Sequence, residues 1–322
     1  MANLLVDMIE PLSDNEIAQL PVYEWDVASV GQEAPPYTFA VTQAGIADYC
    51  LAVRNDNRLY LDPVTAAAGP FGGIVAPPTY AFVCAPLRRH ELMHAHGYAA
   101  PEEHGLRATP FAQAELRCAQ PVRPGDYITS IVQLADRYER RGSQFLTFQV
   151  RAIDGQGQPV ADYTYTVIWQ QGLAPPRAEA GPQSLPSVNA ADALPVVHKV
   201  ESQQAIDAYA ELTRLWPRPG QSLHSDPDFA RGSIFGGTVN LGMATMAYCS
   251  QVLERAFGPA SILSPGASLA FKATRPIRAG DAVDVGGRVV ERTADAARCE
   301  LWVHNQARRL CGVAAAWVRV GQ

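Results

Sequence analysis

The chain has 322 residues, 48% of them hydrophobic and 18% charged, enough apolar material for two modest globular units with buried cores. A net charge of −6 and a pI near 5.7 argue against a nucleic-acid protein that works by neutralising phosphates. No run approaches the ~18–20 uninterrupted apolar residues of a membrane span, the N-terminus lacks a secretory pattern, and Cys50, Cys84, Cys118, Cys249, Cys299 and Cys311 form no CxxC pair; the expectation is a cytoplasmic protein with reduced, buried thiols and no metal.

Along the chain, an amphipathic helix is expected at Gln43 to Tyr49, followed by Leu59-Tyr60-Leu61-Asp62-Pro63 and a Phe71-Gly72-Gly73 turn. A small-residue-rich helix is expected from Pro78 to about Arg89, with His90, His94 and His96 at its solvated end. Strand character follows at Ala112–Cys118, Tyr127–Ala135, Gln144–Ala152 and Val160–Gln170, with a hairpin turn at Gly155-Gln156-Gly157. Residues 171–195, rich in Pro, Ala and Gly, read as a linker between a first unit (1–170) and a second (196–322).

The second unit repeats the first. Gln203 to Tyr209 answers Gln43 to Tyr49, and Leu223-His224-Ser225-Asp226-Pro227 with Phe235-Gly236-Gly237 answers the Leu59 and Phe71 segments. Tyr60 to Phe71 and His224 to Phe235 are both 11 residues apart. Pro276-Ile277-Arg278-Ala279-Gly280-Asp281 answers Pro121-Val122-Arg123-Pro124-Gly125-Asp126. A helix from Leu241 to about Ala256 and strands at Ala267–Ala273, Ala282–Glu291, Arg298–Asn305 and Cys311–Val320 complete the pattern. A sheet cannot bury its face alone, so two such units pairing side by side are expected: an α+β fold in which each repeat has a long central helix wrapped by an antiparallel sheet.

The run from Leu223 to Ala230, then Phe235 to Met243, resembles the MaoC-like, (R)-specific enoyl-CoA hydratase family in its double-hotdog form. The resemblance implies reversible hydration or dehydration of acyl thioesters by general acid–base catalysis, without a cofactor. The family's catalytic histidine falls on His224, and its helix-start N–H, which polarises the thioester carbonyl, falls on Gly242, 18 positions later. Phe235 and Gly237 of the Phe-Gly-Gly loop, with Trp216, Gln221 and Ser222 before the histidine, are the expected substrate-side residues, and Asp226 is a structural cap. Acyl-CoA or acyl-ACP is the implied substrate, and a homodimer or a heteromeric MaoC partner is compatible with the family.

The sequence departs from the family at the acid. The position five residues before His224 is Pro219, and no carboxylate lies between Glu211 and His224. The spacing from Tyr209 to His224 is 15 residues, against 11 from Tyr49 to Tyr60, so the second unit carries four extra residues there. In the first unit the histidine position is Tyr60, the acid position Asn55 and the helix start Pro78, which has no N–H to donate. That unit reads as a degenerate copy that widens the cleft for a bulky acyl chain, with Tyr60 and Phe71 lining it. Arg88-Arg89 and Arg275/Arg278 are candidate phosphate contacts for the carrier. Beside the hydro-lyase reading stand a repurposed hotdog catalyst (cyclisation or an unusual elimination) and a non-catalytic thioester-binding subunit of a heteromeric dehydratase.

Overall fold

The computed structural model describes residues 12–170, 188–213 and 222–320, and in it the two repeats are antiparallel half-sheets joined edge to edge. The first comprises α1 (Asp14–Gln19), β1 (Tyr37–Ala40), α2 (Gln43–Ala52), α3 (Arg58–Leu61), α4 (Pro63–Ala67), α5 (Ala81–Cys84), α6 (Arg89–Ala95), β2 (Phe111–Cys118), β3 (Tyr127–Arg140), β4 (Ser143–Ile153) and β5 (Pro159–Gln170). The second comprises β6 (Val197–Val200), α7 (Gln203–Thr213), α8 (Pro227–Arg231), α9 (Gly242–Phe257), α10 (Ala260–Leu263), β7 (Ser268–Ala273), β8 (Ala282–Arg292), β9 (Ala296–Asn305) and β10 (Leu310–Arg319).

The strand order β1-β3-β4-β5-β2-β7-β10-β9-β8-β6 reads the same from either edge once β1 is matched with β6 and β2 with β7. The seam is the antiparallel pair β2–β7, in register from Gln113↔Lys272 to Arg117↔Ser268. The sheet wraps the helices, and the alternating burial along β3 and β10 gives each strand one face toward them. The eight strands expected from the sequence all form, as does the hairpin turn, where Gly157 N–H donates to Asp154 O at 2.9 Å. The short outermost strands β1 and β6 were not anticipated. Of the expected linker, 171–187 lie outside the described residues; within 188–195, Leu194 is buried and donates to Gly287 O at 3.0 Å, docking that end on β8.

The two central helices differ. Helix α9 is sixteen residues long and every side chain from Met243 to Glu254 is buried, as a helix enclosed on all sides requires. It spans the seam, touching both β2 and β7. The expected helix from Pro78 to Arg89 is instead broken: one 3-10 turn (Pro78–Tyr80) runs into α5, which stops at Cys84. Pro86 is the cause, because its ring clashes with the carbonyl four residues back and it forces the preceding residue out of helical space. Ala85 accordingly sits at φ −129°, ψ 74°. The chain restarts in α6 from Arg88, held left-handed at φ 45° by stacking on Tyr37 (4.7 Å) and by donation to Pro35 O (2.9 Å).

The repeated sequence signatures are structural ties. Arg123 donates to Phe71 O at 2.9 Å and Arg278 donates to Phe235 O, so the arginine of the Pro-x-Arg-x-Gly-Asp turn pins the Phe-Gly-Gly loop in each half. Asp126 and Asp281 accept from the Arg123 and Arg278 N–H groups at 2.7 and 2.8 Å. Arg278 is thus committed to the loop rather than to a carrier phosphate. The halves also share a buried clamp. Arg54 donates to Glu201 at 3.1 Å and to the Tyr248 hydroxyl at 2.5 Å, and Glu201 also accepts from Asn240 at 3.1 Å.

Glu201 is almost wholly shielded from solvent, so removing the Arg54 cation takes away the direct ion-pair partner of a buried carboxylate. Arg54→Met is expected to cost about 3 kcal/mol in urea denaturation, and the double variant with Glu201→Gln to recover part of that loss. Equal stability of Arg54→Met and wild type would show that the clamp contributes nothing.

Candidate active site

A cavity of about 240 Å³ opens between the halves in front of the N-terminus of α9. Helix α9, the Leu223-His224 segment and the Phe235 loop form one wall, while α6, the Thr109-Pro110 turn, β2 and β5 of the first half form the other. His224 and Gly242 both line it, as do Phe235, Arg89, Thr109 and Asn240. The described residues that line it include no Asp or Glu.

His224 is fixed at three points. Its backbone N–H donates to Ser222 Oγ at 3.0 Å, its carbonyl accepts from Gln203 at 2.6 Å, and its Nδ1–H donates to Val239 O at 2.8 Å. The carbonyl partner can only accept, so the ring's lone pair is on Nε2. Burial pulls the imidazole down to about 4, helped by the positive charge of Arg89 and opposed by the bond to Val239. His224 is therefore neutral at physiological pH. Gly242 is the first residue of α9, where backbone N–H groups have no partner inside the helix and the dipole favours negative charge. A side chain there is excluded, because a Cβ would lie 2.1 Å from the Phe111 ring.

The structure places the remaining sequence candidates unevenly. Phe235 reaches the cavity, but Gly237 packs against Arg278 and Ser222 is a buried brace for the His224 turn, its hydroxyl accepting from His224 and Ser225 N–H groups. Trp216 and Gln221 lie outside the described residues. Asp226 caps α8, accepting from Asp228 and Phe229 N–H groups at 2.9 and 3.1 Å.

Tyr60 and Phe71 do not line this cavity. Tyr60 is buried in the core beside the Glu254 carboxyl, and Asn55, at the acid position of the first half, donates to Glu254 at 3.0 Å. Ser250 donates to the other Glu254 oxygen at 2.8 Å. The second cleft that pseudo-symmetry would generate is thus filled by the C-terminal turns of α9. Phe71 sits on the Arg123-pinned loop.

Glu102 and Thr109 were not singled out in the sequence, and Arg89 only as a candidate phosphate contact. Arg89 is buried at the start of α6 and donates to both the Glu102 carboxylate and the Thr109 hydroxyl; Thr109 in turn donates to Glu102 at 2.8 Å. Burial opposes the Glu102 charge, but Arg89 and His90 outweigh it and hold the carboxyl down at about 2. His94 is 2.9 Å from Glu103 and His90 is buried within the same cluster, so these two belong to an internal network, while His96 is exposed at the helix end as the sequence suggested. Among the described residues no group of His, Cys, Asp and Glu is arranged to hold a metal ion. Arg88 and Arg89 are likewise engaged within the protein and not offered to a carrier phosphate. No helix among the described residues is long and apolar enough to cross a membrane.

A family model for a FAS1-like dehydratase domain region matches residues 28–163, and one for a MaoC like domain matches 201–304. A protein of Saccharopolyspora erythraea described as a UPF0336 protein is 26% identical over 158 residues, 48% of this chain and 97% of that one. A solved MaoC-like dehydratase superposes with a TM-score of 0.74 at 17% identity, covering 91% of this chain and 99% of the other. A conserved hypothetical protein from Mycobacterium tuberculosis, described as a double hotdog, superposes with a TM-score of 0.61 at 17% identity, covering 91% and 97%.

Glu254 offers a test of the filled second cleft. Burial holds its carboxyl above the usual value of 4.5, so the folded chain binds this proton more tightly than the unfolded chain. That contribution to stability is complete below pH 4.5 and is lost as pH rises through the raised folded value. Glu254→Gln should flatten the dependence of Tm on pH above 4.5 and raise Tm, relative to wild type, once pH exceeds the raised folded value. A variant that tracks the wild-type slope by circular dichroism would place the pH dependence elsewhere.

Proposed function

We propose that this chain, whose two halves match family models for a FAS1-like dehydratase domain region and a MaoC like domain and whose fold is a double hotdog, is a hydro-lyase adding water to, or removing it from, an acyl thioester at His224. The observation that carries the reading is the convergence of a neutral, tautomer-fixed histidine and the first residue of helix α9 on one cavity.

In the hydration direction, Nε2 of His224 takes a proton from water as the oxygen bonds to C3 of the enoyl group. The C2–C3 π electrons move toward the carbonyl, whose oxygen gains negative charge facing the Gly242 N–H and the positive end of α9. The imidazolium then returns its proton to C2, giving the 3-hydroxyacyl thioester, with the (R) product as the family's stereochemistry. Arg89 favours the negative intermediate state in a cavity that holds no carboxylate among its described lining residues. The thioester is carried by CoA or by an acyl carrier protein.

That the described lining residues include no acid also favours a second reading: a thioester-binding subunit that supports an active MaoC partner. The purified chain with crotonyl-CoA separates the two. Consumption of the enoyl thioester by the chain alone, lowered about 10²- to 10⁴-fold in kcat/KM by His224→Ala, is the expected result. Activity only after a companion protein is added would establish the second reading instead.

The imidazole is the base in its neutral form, so kcat/KM should hold as pH falls below 6.5 and drop only near pH 4. An acid limb at 6.5 would mean that His224 is solvated rather than enclosed.

A further inference from the structure

We propose that Phe111, contributed by the first half, sets the acyl-chain limit of the cavity, and that the site takes short acyl thioesters and rejects long ones. The inference rests on reading the cavity as an acyl site, and it reverses the expectation that the degenerate half widens the cleft.

Phe111 opens β2 at an irregularity in the ladder. It pairs with Val167, whereas Gln113 pairs with the adjacent Thr166, so β2 spends one extra residue against β5. An extra residue of this kind bends the strand and re-aims side chains next to it. Here the ring is delivered onto the start of α9. A Cβ on Gly242 would lie 2.1, 2.4 and 2.8 Å from three atoms of the Phe111 ring, so the two residues fit only because one of them is glycine.

The ring is backed on its other sides. Its centroid is 5.0 Å from that of Tyr165 and 6.1 Å from that of Phe271, the latter nearly parallel at 12°. Both neighbours also line the cavity, and both are buried. Packed in this way the ring is a fixed wall, because moving it breaks three packing contacts at once.

Size leads to the same conclusion. At about 240 Å³ the cavity falls below the ~300–1,000 Å³ of sites that enclose drug-sized ligands. A thioester carbonyl bonded to the Gly242 N–H places its first acyl carbons against Phe111, and a longer chain has to pass the ring. The aromatic belongs to the first half alone: counting back from the shared Pro-x-Arg-x-Gly-Asp turn, the second half carries Gly266 at this position.

Saturated thioesters test the inference without requiring turnover. Wild type should bind butyryl-CoA at least ten times more tightly than octanoyl-CoA by titration calorimetry, the scale on which an apolar pocket discriminates chain length. Phe111→Ala should shift that ratio about tenfold or more toward octanoyl-CoA, with Phe111→Leu between the two. The titration reads binding and not turnover, which separates this inference from the proposed chemistry. Equal binding of both thioesters by wild type, or an unaltered ratio in a folded Phe111→Ala, overturns the chain-length limit. Should the alanine variant fail to fold, Phe111→Leu must still move the ratio in the same direction. Failure of both thioesters to bind overturns this inference together with the acyl-site reading.

Discussion

Helix α9 takes Ser250, Gln251 and Glu254 into a core where water is excluded, and each must be met by a protein group. The first half meets two of them directly: Gln251 donates to Val53 O at 3.0 Å, and Asn55 donates to Glu254. Ser250 and Tyr60 close the shell around the same carboxyl. This requirement reorganises the first half. Asn55 and Tyr60, which correspond by repeat to the acid and histidine positions, are used to satisfy a buried carboxyl from the other repeat.

The same asymmetry creates the remaining cavity. Had the first half kept a continuous central helix, α6 would have extended from α5 along the same axis. The break at Pro86 turns the chain, and α6 carries Arg89 to the wall opposite His224. The left-handed Arg88 at the turn is held by its own cation–π contact and hydrogen bond, so the local strain is balanced where it arises. Pseudo-symmetry of the sheet is kept, and symmetry of function is given up in the helices.

Much of this was legible in the sequence for a physical reason. Strand alternation is a local, period-two signal, and the eight strands found this way form. The paired Phe-Gly-Gly and Pro-x-Arg-x-Gly-Asp segments recur because Arg123 and Arg278 tie them together, so the repeat records a contact. His224 and Gly242 were found through a contiguous motif. Arg89, Thr109 and Phe111 could not be, since they come from the other repeat and reach the cavity only through the β2 irregularity and the α6 turn. Pro86 was the one available signal for that turn, and it predicts a helix break without saying where the next helix points. The error over His90 and His94 has a similar root: their carboxylate partners, Glu102 and Glu103, lie beyond α6 and fold back onto it.

The electrostatics of the cavity differ in sign from a carboxylate–histidine pair. A carboxylate beside an imidazole stabilises the charged ring and raises its basicity. Arg89 does the opposite and adds to the effect of burial, so His224 is held neutral. Glu102 sits behind Arg89 and offsets the cost of burying that cation without itself lining the cavity. A proton on His224 then becomes favourable chiefly when negative charge appears between it, Arg89 and the start of α9. An enolate formed from a thioester is such a charge. Once formed, it faces an imidazolium that is a strong proton donor for the same reason that the imidazole was a weak acceptor. On the proposed reading, the arrangement couples proton uptake at His224 to charge development at the carbonyl through a preorganised cation and a helix terminus, with no acid residue among the described groups of the cavity wall.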